Sequence, residues 1–192
     1  EEGVKLEKLF TAQDLTRIGG MKITWVNNLA DHLLMHDDDN VVSIFHYASF
    51  LKLHQNSELF PRDSDGNSLV EETLRTLALL LPPYNDELRT WFQKQAKRLG
   101  LDVEATNCDH LKPEDRQIEK FKYWHERLTI LKETFDDAEP KSVKQWWRDR
   151  RKPVQWYNFW LAIVLIVGLT VVFGLIQSIE GALQVYKAYY PS

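Results

Sequence analysis

Cysteine is almost absent from this chain. The single residue, Cys108, excludes an intramolecular disulfide framework and is what a reducing compartment permits. No Asn-x-Ser/Thr sequon occurs, which fits a domain kept away from lumenal glycosylation. Eight glycines form no phosphate-binding loop, and neither a serine elbow nor a paired-cysteine zinc motif is present. The N-terminus lacks the apolar core of a signal peptide. It begins at Glu1 rather than Met, so an upstream piece is expected to have been removed or omitted. Sustained apolar/polar alternation is missing, which disfavours a sheet, and no repeat of 20 to 50 residues points to a solenoid.

Acidic residues dominate most of what is there. Residues 1–140 hold 17 Lys and Arg against 26 Asp and Glu, a balance of −9, whereas residues 141–152 hold six basic residues and one acidic. An acidic surface argues against nucleic-acid binding, because phosphates need basic neutralisation. The mean hydropathy of −0.40 averages this charged part with a strongly apolar tail.

In that tail, Phe159 to Ile176 reads FWLAIVLIVGLTVVFGLI, 18 residues without a charge. At 1.5 Å per residue it spans about 27 Å, close to the hydrocarbon thickness of a bilayer. A buried core helix of this kind would need a much larger protein around it. A transmembrane helix over residues 156–179 is therefore expected, with the bilayer as partner. Arg148, Arg150, Arg151 and Lys152 precede it, and the positive-inside bias places the N-terminal domain in the cytosol. Trp156 and Trp160 at the N-terminal end of the span and Tyr186 beyond its C-terminal end suit the two headgroup belts. Residues 180–192 then form a short lumenal or extracellular tail. With so few residues following, insertion is expected after synthesis, as in tail-anchored proteins, provided no span precedes. Thr170, Gly174, Ser178 and Ala182 recur every four residues, a ridge that either serves self-association or is chance spacing.

Residues 141–155 read as a juxtamembrane helix with a Ser142/Gln145 capping box. Trp146, Trp147 and the basic residues would lie on an anionic leaflet. For residues 1–140 the spacing predicts an all-α, irregular helical bundle. Ser68 caps a helix that stops at Pro82-Pro83, and Asn85 caps another that ends at Gly100. A long helix is expected over Ile118–Phe135, with Pro113 in a first turn upstream. Asn40 is expected to cap a helix through Val41, Ile44, Phe45, Ala48 and Leu51. Met21–Met35 is ambiguous between strand and helix, with helix preferred.

Three places invite chemistry. His32 and His36, four apart on an expected helix, with Asp37, Asp38 and Asp39 following, have the spacing of shared metal ligands; a solvated helix end is the plainer reading. Asp63 to Asn67 resembles a calcium loop but carries Pro61 where the first ligand belongs, so a turn is expected. Cys108 adjoins His110, and His46 or His125 are alternative spatial partners for a nucleophile. None is specific enough to name a reaction, and no cofactor is expected.

The segments ETLRTLALLLP (72–82), FKYWHERLTILKETFDDAEP (121–140), QWWRDRRKPVQWYNFWLA (145–162) and FGLIQSIEGALQVYKA (173–188) resemble a group of uncharacterised filamentous-fungal proteins with a C-terminal membrane segment. The resemblance implies an anchored helical architecture and supplies no activity or catalytic residue. The expected function is a membrane-anchored interaction or scaffold module, leaning away from catalysis. The alternatives are a small membrane-bound metal- or cysteine-dependent enzyme and an oligomeric effector assembled through its membrane helix.

Overall fold

A computed structural model describes residues 4–36, 40–60, 62–64, 66–138 and 153–189. The chain divides into two compact units, Glu1–Gln145 and Trp146–Ser192.

The first unit corrects the all-α expectation: it contains a three-stranded mixed sheet. Strands β1 (Lys22–Val26), β2 (Met35–His36) and β3 (Val41–Phe45) lie in the order β1-β3-β2. β1 runs parallel to β3 from Lys22↔Val41 to Val26↔Phe45, and β2 pairs antiparallel with it at Met35↔Val42. The segment preferred as helix over Met21–Met35 is thus a strand, a 3-10 turn at Leu29–Asp31 and the start of β2. The helix expected to start at Asn40 is instead the central strand. Val42, Ser43, Ile44 and Phe45 are all buried, so both faces of β3 are covered and its side chains show no alternation. A doubly covered strand reads as a continuous apolar run, and β-branched Val41, Val42 and Ile44 favour extended backbone. Leu33 adopts φ +59°, fixed by burial and by donation of its N–H to Ser43 O at 2.7 Å.

Helices surround the sheet. α1 (Ala12–Arg17) is capped by Thr11, and α2 (Ala48–Leu53) follows β3. α3 (Leu69–Leu80) starts where expected, with Ser68 Oγ accepting from Glu71 N at 3.3 Å, and stops before the proline pair. α4 (Asp86–Leu99) is capped by Asn85, which accepts from Leu88 N at 3.0 Å, and ends at Gly100 in the left-handed conformation, φ 69°. The single helix expected over Ile118–Phe135 is broken. A 3-10 turn at Ile118–Lys120 is followed by α5 (His125–Asp137), with Leu128, Leu131 and Phe135 facing inward. Gly19 sits against this packing: an added Cβ would lie 2.8 Å from Leu15 O and 2.9 Å from the Phe135 ring. The core of fully buried residues, among them Phe10, Leu15, Ile44, Leu77, Phe92 and Phe121, carries the stability, each large side chain contributing about 1.5–3 kcal/mol.

The second unit is described from Pro153 onward as one helix, α6 (Pro153–Tyr189), 37 residues long. At 1.5 Å per residue that is about 55 Å. The juxtamembrane helix expected over 141–155 lies almost wholly outside the described residues. Those of its residues that are described belong to α6, so no break marks the expected boundary at residue 156.

Candidate functional site

Within α6, Tyr157–Val185 form a 29-residue stretch long and apolar enough to cross a membrane, and none of it is buried. Leu161, Leu165, Leu169, Phe173 and Ile176 are all exposed. Apolar side chains face outward around the circumference of this run, the composition and length of a helix able to cross a bilayer. Thr170 donates its hydroxyl to Ile166 O at 2.8 Å, satisfying it inside the helix. Thr170, Gly174, Ser178 and Ala182 all lie on α6, and apart from the helix's own nearby backbone no atom lies within 4 Å of where a Cβ on Gly174 would sit, as is also true of Gly168 and Gly181. Trp160 packs edge-on against Phe159 with ring centres 5.6 Å apart. Of the other expected interface residues, Trp146, Trp147, Arg148, Arg150, Arg151 and Lys152 lie outside the described residues. Trp156 and Tyr186 are on the helix, with their side chains likewise outside.

In the first unit the sequence candidates are not brought together. His32 follows the 3-10 turn and His36 ends β2, so the shared helical face expected for them does not form. Asp37, Asp38 and Asp39 lie outside the described residues. His32 is fully buried and both ring nitrogens are engaged. Nδ1 accepts from Phe45 N at 3.1 Å; this assigns the ring proton to Nε2, which donates to Thr76 Oγ1 at 2.7 Å. Thr76 passes its own hydroxyl hydrogen to Thr73 O at 2.7 Å. A metal would have to displace one of these bonds. Among the described residues no three His, Cys, Asp or Glu side chains converge as metal ligands.

The same cluster holds a buried carboxylate whose role no local spacing foretells. Glu72, 4% exposed on α3, accepts from Lys122 N at 2.9 Å and Trp124 N at 2.8 Å, capping α5 from a distance of 50 residues in sequence. Trp124 Nε1 donates to Thr73 Oγ1 at 3.0 Å, and the His32 ring meets Trp124 edge-on at 4.9 Å. Arg127 lies over the Trp124 ring at 5.4 Å and donates to the carbonyls of Ala30 and His32 at 2.7 and 2.6 Å. Sheet entry, α3 and α5 are thereby tied into one network.

Burial first, and then the Arg127 charge, drives the His32 pKa from 6.5 to about 3. Neutral in the folded state, His32 protonates on unfolding below pH 6.5, so stability is retained above that value and lost as pH falls toward about 3. The expected slope is about 1.4 kcal/mol per pH unit. Unfolding measured against pH should show this loss in the wild type, and the His32→Gln variant should have a flatter profile over the same window.

Cys108 is buried, with Sγ 3.6 Å from Ala105 O, and burial pushes its thiol up to about 12. A thiol held protonated is a poor nucleophile. His110 does not serve it: its ring packs edge-on against Tyr84 at 5.2 Å. His46 is engaged elsewhere, with Nδ1 accepting from Asp102 N at 3.1 Å and Nε2 bonded to Asn27 Oδ1 at 3.2 Å. Burial lowers its pKa against the opposing pull of Asp102. His125 Nδ1 bonds to Ile118 O at 3.2 Å. A cavity of about 530 Å³ adjoins Cys108, and three of the four charged residues in its wall, Lys52, Glu71 and Arg75 but not Asp109, are engaged in contacts. Lys52 pairs with Glu104 at 2.8 Å, Glu71 with Arg62, and Arg75 stacks on Phe121 at 4.7 Å. Asp63 closes the expected turn by accepting from Asn67 N at 2.7 Å, with Gly66 at φ +80°.

Comparison with models of known protein families, with curated proteins and with solved structures found no match.

Proposed function

We propose that the chain is a membrane-anchored, non-catalytic interaction module whose α6 crosses the bilayer and whose N-terminal domain faces the cytosol. The observation that carries this reading is the 29-residue stretch Tyr157–Val185 of α6, none of it buried, with the uncharged apolar run Phe159 to Ile176 inside it and its one charge, Glu180, near the C-terminal end. A non-catalytic role is supported by the use made of the chemically capable groups: His32, His46 and Cys108 are taken up in structural contacts. A partner surface is supported by exposed apolar side chains clustered near α2, where Tyr47, Phe50 and Phe60 line a shallow cavity of about 390 Å³ and Leu53 and Leu59 stand open to solvent. Kinship with the fungal anchored group belongs to the same proposal and rests on the segments already quoted.

The basic residues at 148–152 support the cytosolic orientation. Its test is protease protection of the full chain, tagged at both ends, after insertion into sealed microsomes. Digestion of the N-terminal tag with survival of the C-terminal one is expected; the reverse pattern would overturn the orientation.

A second reading, self-association through Thr170, Gly174, Ser178 and Ala182, is supported by the four-residue spacing of these small side chains along one face of α6. Replacing Gly174 by Ile should crowd that face and reduce the cross-linked dimer of the full chain in bilayers several-fold; an undiminished dimer removes this reading.

A further inference from the structure

The N-terminal segment before α1 is laid against the turn that precedes α5. Leu6 N donates to Arg116 O at 2.8 Å and Ile118 N to Val4 O at 3.0 Å, with Lys5 opposite Gln117. This pairing brings Lys5, Lys8 and Arg116 into the lining of a cavity of about 620 Å³, which Tyr84, His110 and Leu111 also line.

Arg116 is only 6% exposed. Its side chain makes one hydrogen bond, from Nη2 to Tyr84 Oη at 2.6 Å, and no ion pair among the described residues. A guanidinium stays charged at any pH a protein survives, and a buried charge without a counter-ion is costly. The nearby acids do not neutralise it. Asp115 pairs with Lys120 at 3.1 Å, Glu119 accepts from Val4 N at 2.8 Å, Glu114 is exposed, and Glu7, the one carboxylate in the lining, forms no pair with Arg116. Because Tyr84 accepts from Arg116, its own phenolic hydrogen is left to donate. A buried guanidinium and a phenol therefore offer donors, two lysines flank them, and Leu111, Pro113 and the Tyr84 ring supply apolar surface.

We infer that this cavity is a binding site for a small organic anion, a carboxylate or phosphate head on an apolar body, with Arg116 as the counter-ion of the head. The head takes the place of the missing acid beside Arg116 and accepts from Tyr84; the body lies along Leu111 and Pro113. The site does not depend on whether α6 crosses a bilayer.

Calorimetric titration of the full chain in zwitterionic nanodiscs, with empty discs as reference, tests the assignment with 2-naphthoate, 1-naphthyl phosphate, 2-naphthylmethanol and inorganic phosphate. Saturable binding of at least one naphthyl anion is expected, with the neutral alcohol and inorganic phosphate weaker by about tenfold or more. Naphthoate against naphthyl phosphate decides which head is preferred. Arg116→Gln should weaken the bound anion about tenfold or more. Where that variant fails to fold, the rim pair Lys5→Gln with Lys8→Gln decides, and it should weaken binding several-fold. Absence of saturable binding by either naphthyl anion, equal binding of the alcohol or of inorganic phosphate, or an affinity unchanged in the folded variant would overturn it.

Discussion

Placing arginine at both Leu165 and Leu169 should release the chain from membranes. The two positions lie one helical turn apart near the middle of the apolar stretch of α6, and both are exposed. Each arginine at a helix centre costs about 2.5–3.5 kcal/mol on insertion scales, and each lost leucine removes a further favourable contribution. Together they oppose insertion by about 5–7 kcal/mol, on the order of a 10⁴-fold shift. Flotation of expressed protein on a density gradient reads this directly: wild type should rise with the lipid fraction, and the double variant should remain at the bottom. Lysine-free apolar replacements such as Leu165→Val with Leu169→Val should float like the wild type, which separates loss of hydropathy from loss of a specific sequence.

The second large effect is expected at Glu72. Its carboxylate, 4% exposed, accepts the N–H of Trp124 in a fully buried bond and that of Lys122 in a part-buried one. Hydrogen bonds to a charged group contribute about 1.5–3 kcal/mol each, and an orphaned buried donor costs a similar amount. Glu72→Ala should therefore destabilise the N-terminal unit by about 3–5 kcal/mol. For a unit of this size that is a fall in Tm of roughly 10 °C or more. Glu72→Gln, whose amide oxygen can still accept both bonds, should recover about half of the loss. Thermal unfolding followed by tryptophan fluorescence is the direct readout, because Trp124 sits in the affected network. Equal stability of the alanine variant and the wild type would show that the two N–H groups find other partners.

Helices whose ends carry their own signals were readable from sequence. Ser68, Asn85, Gly100 and the proline pair act within a few residues of the backbone they cap, so local chemistry decides them. The apolar stretch of α6 was readable for a related reason, since length and lack of charge are properties of the segment alone. The sheet was not. Val41, Ile44, Phe45 and Ala48 match helical spacing, yet the strand is selected by its parallel partner Lys22–Val26 and by burial on both faces. Parallel pairing leaves no local turn signal, because the two strands are joined through the 3-10 turn and β2 rather than by a hairpin.

The break before α5 has a similar origin. Ile118 to Phe135 is continuous in helical periodicity, but Glu72 draws the N–H groups of Lys122 and Trp124 to itself and fixes the helix start at His125. His32 and Arg116 were equally beyond local reading. The first is defined by Thr76, 44 residues away, and the second by Tyr84, 32 residues away. Sequence spacing does single out His32, but as a metal ligand or, more plainly, part of a solvated helix end, where the fold uses it as a neutral, buried bridge.

The most direct test of lipid around α6 is a nitroxide scan of single cysteines from residue 158 to residue 184 in the full chain reconstituted in bilayers. Cys108 gives little background because it is buried with its thiol held protonated. Accessibility to oxygen should rise, and accessibility to a water-soluble nickel chelate fall, toward a single extremum near Thr170, with both trends reversing at the two ends. Uniform access of the nickel chelate along the helix would place it in water and contradict the anchored architecture.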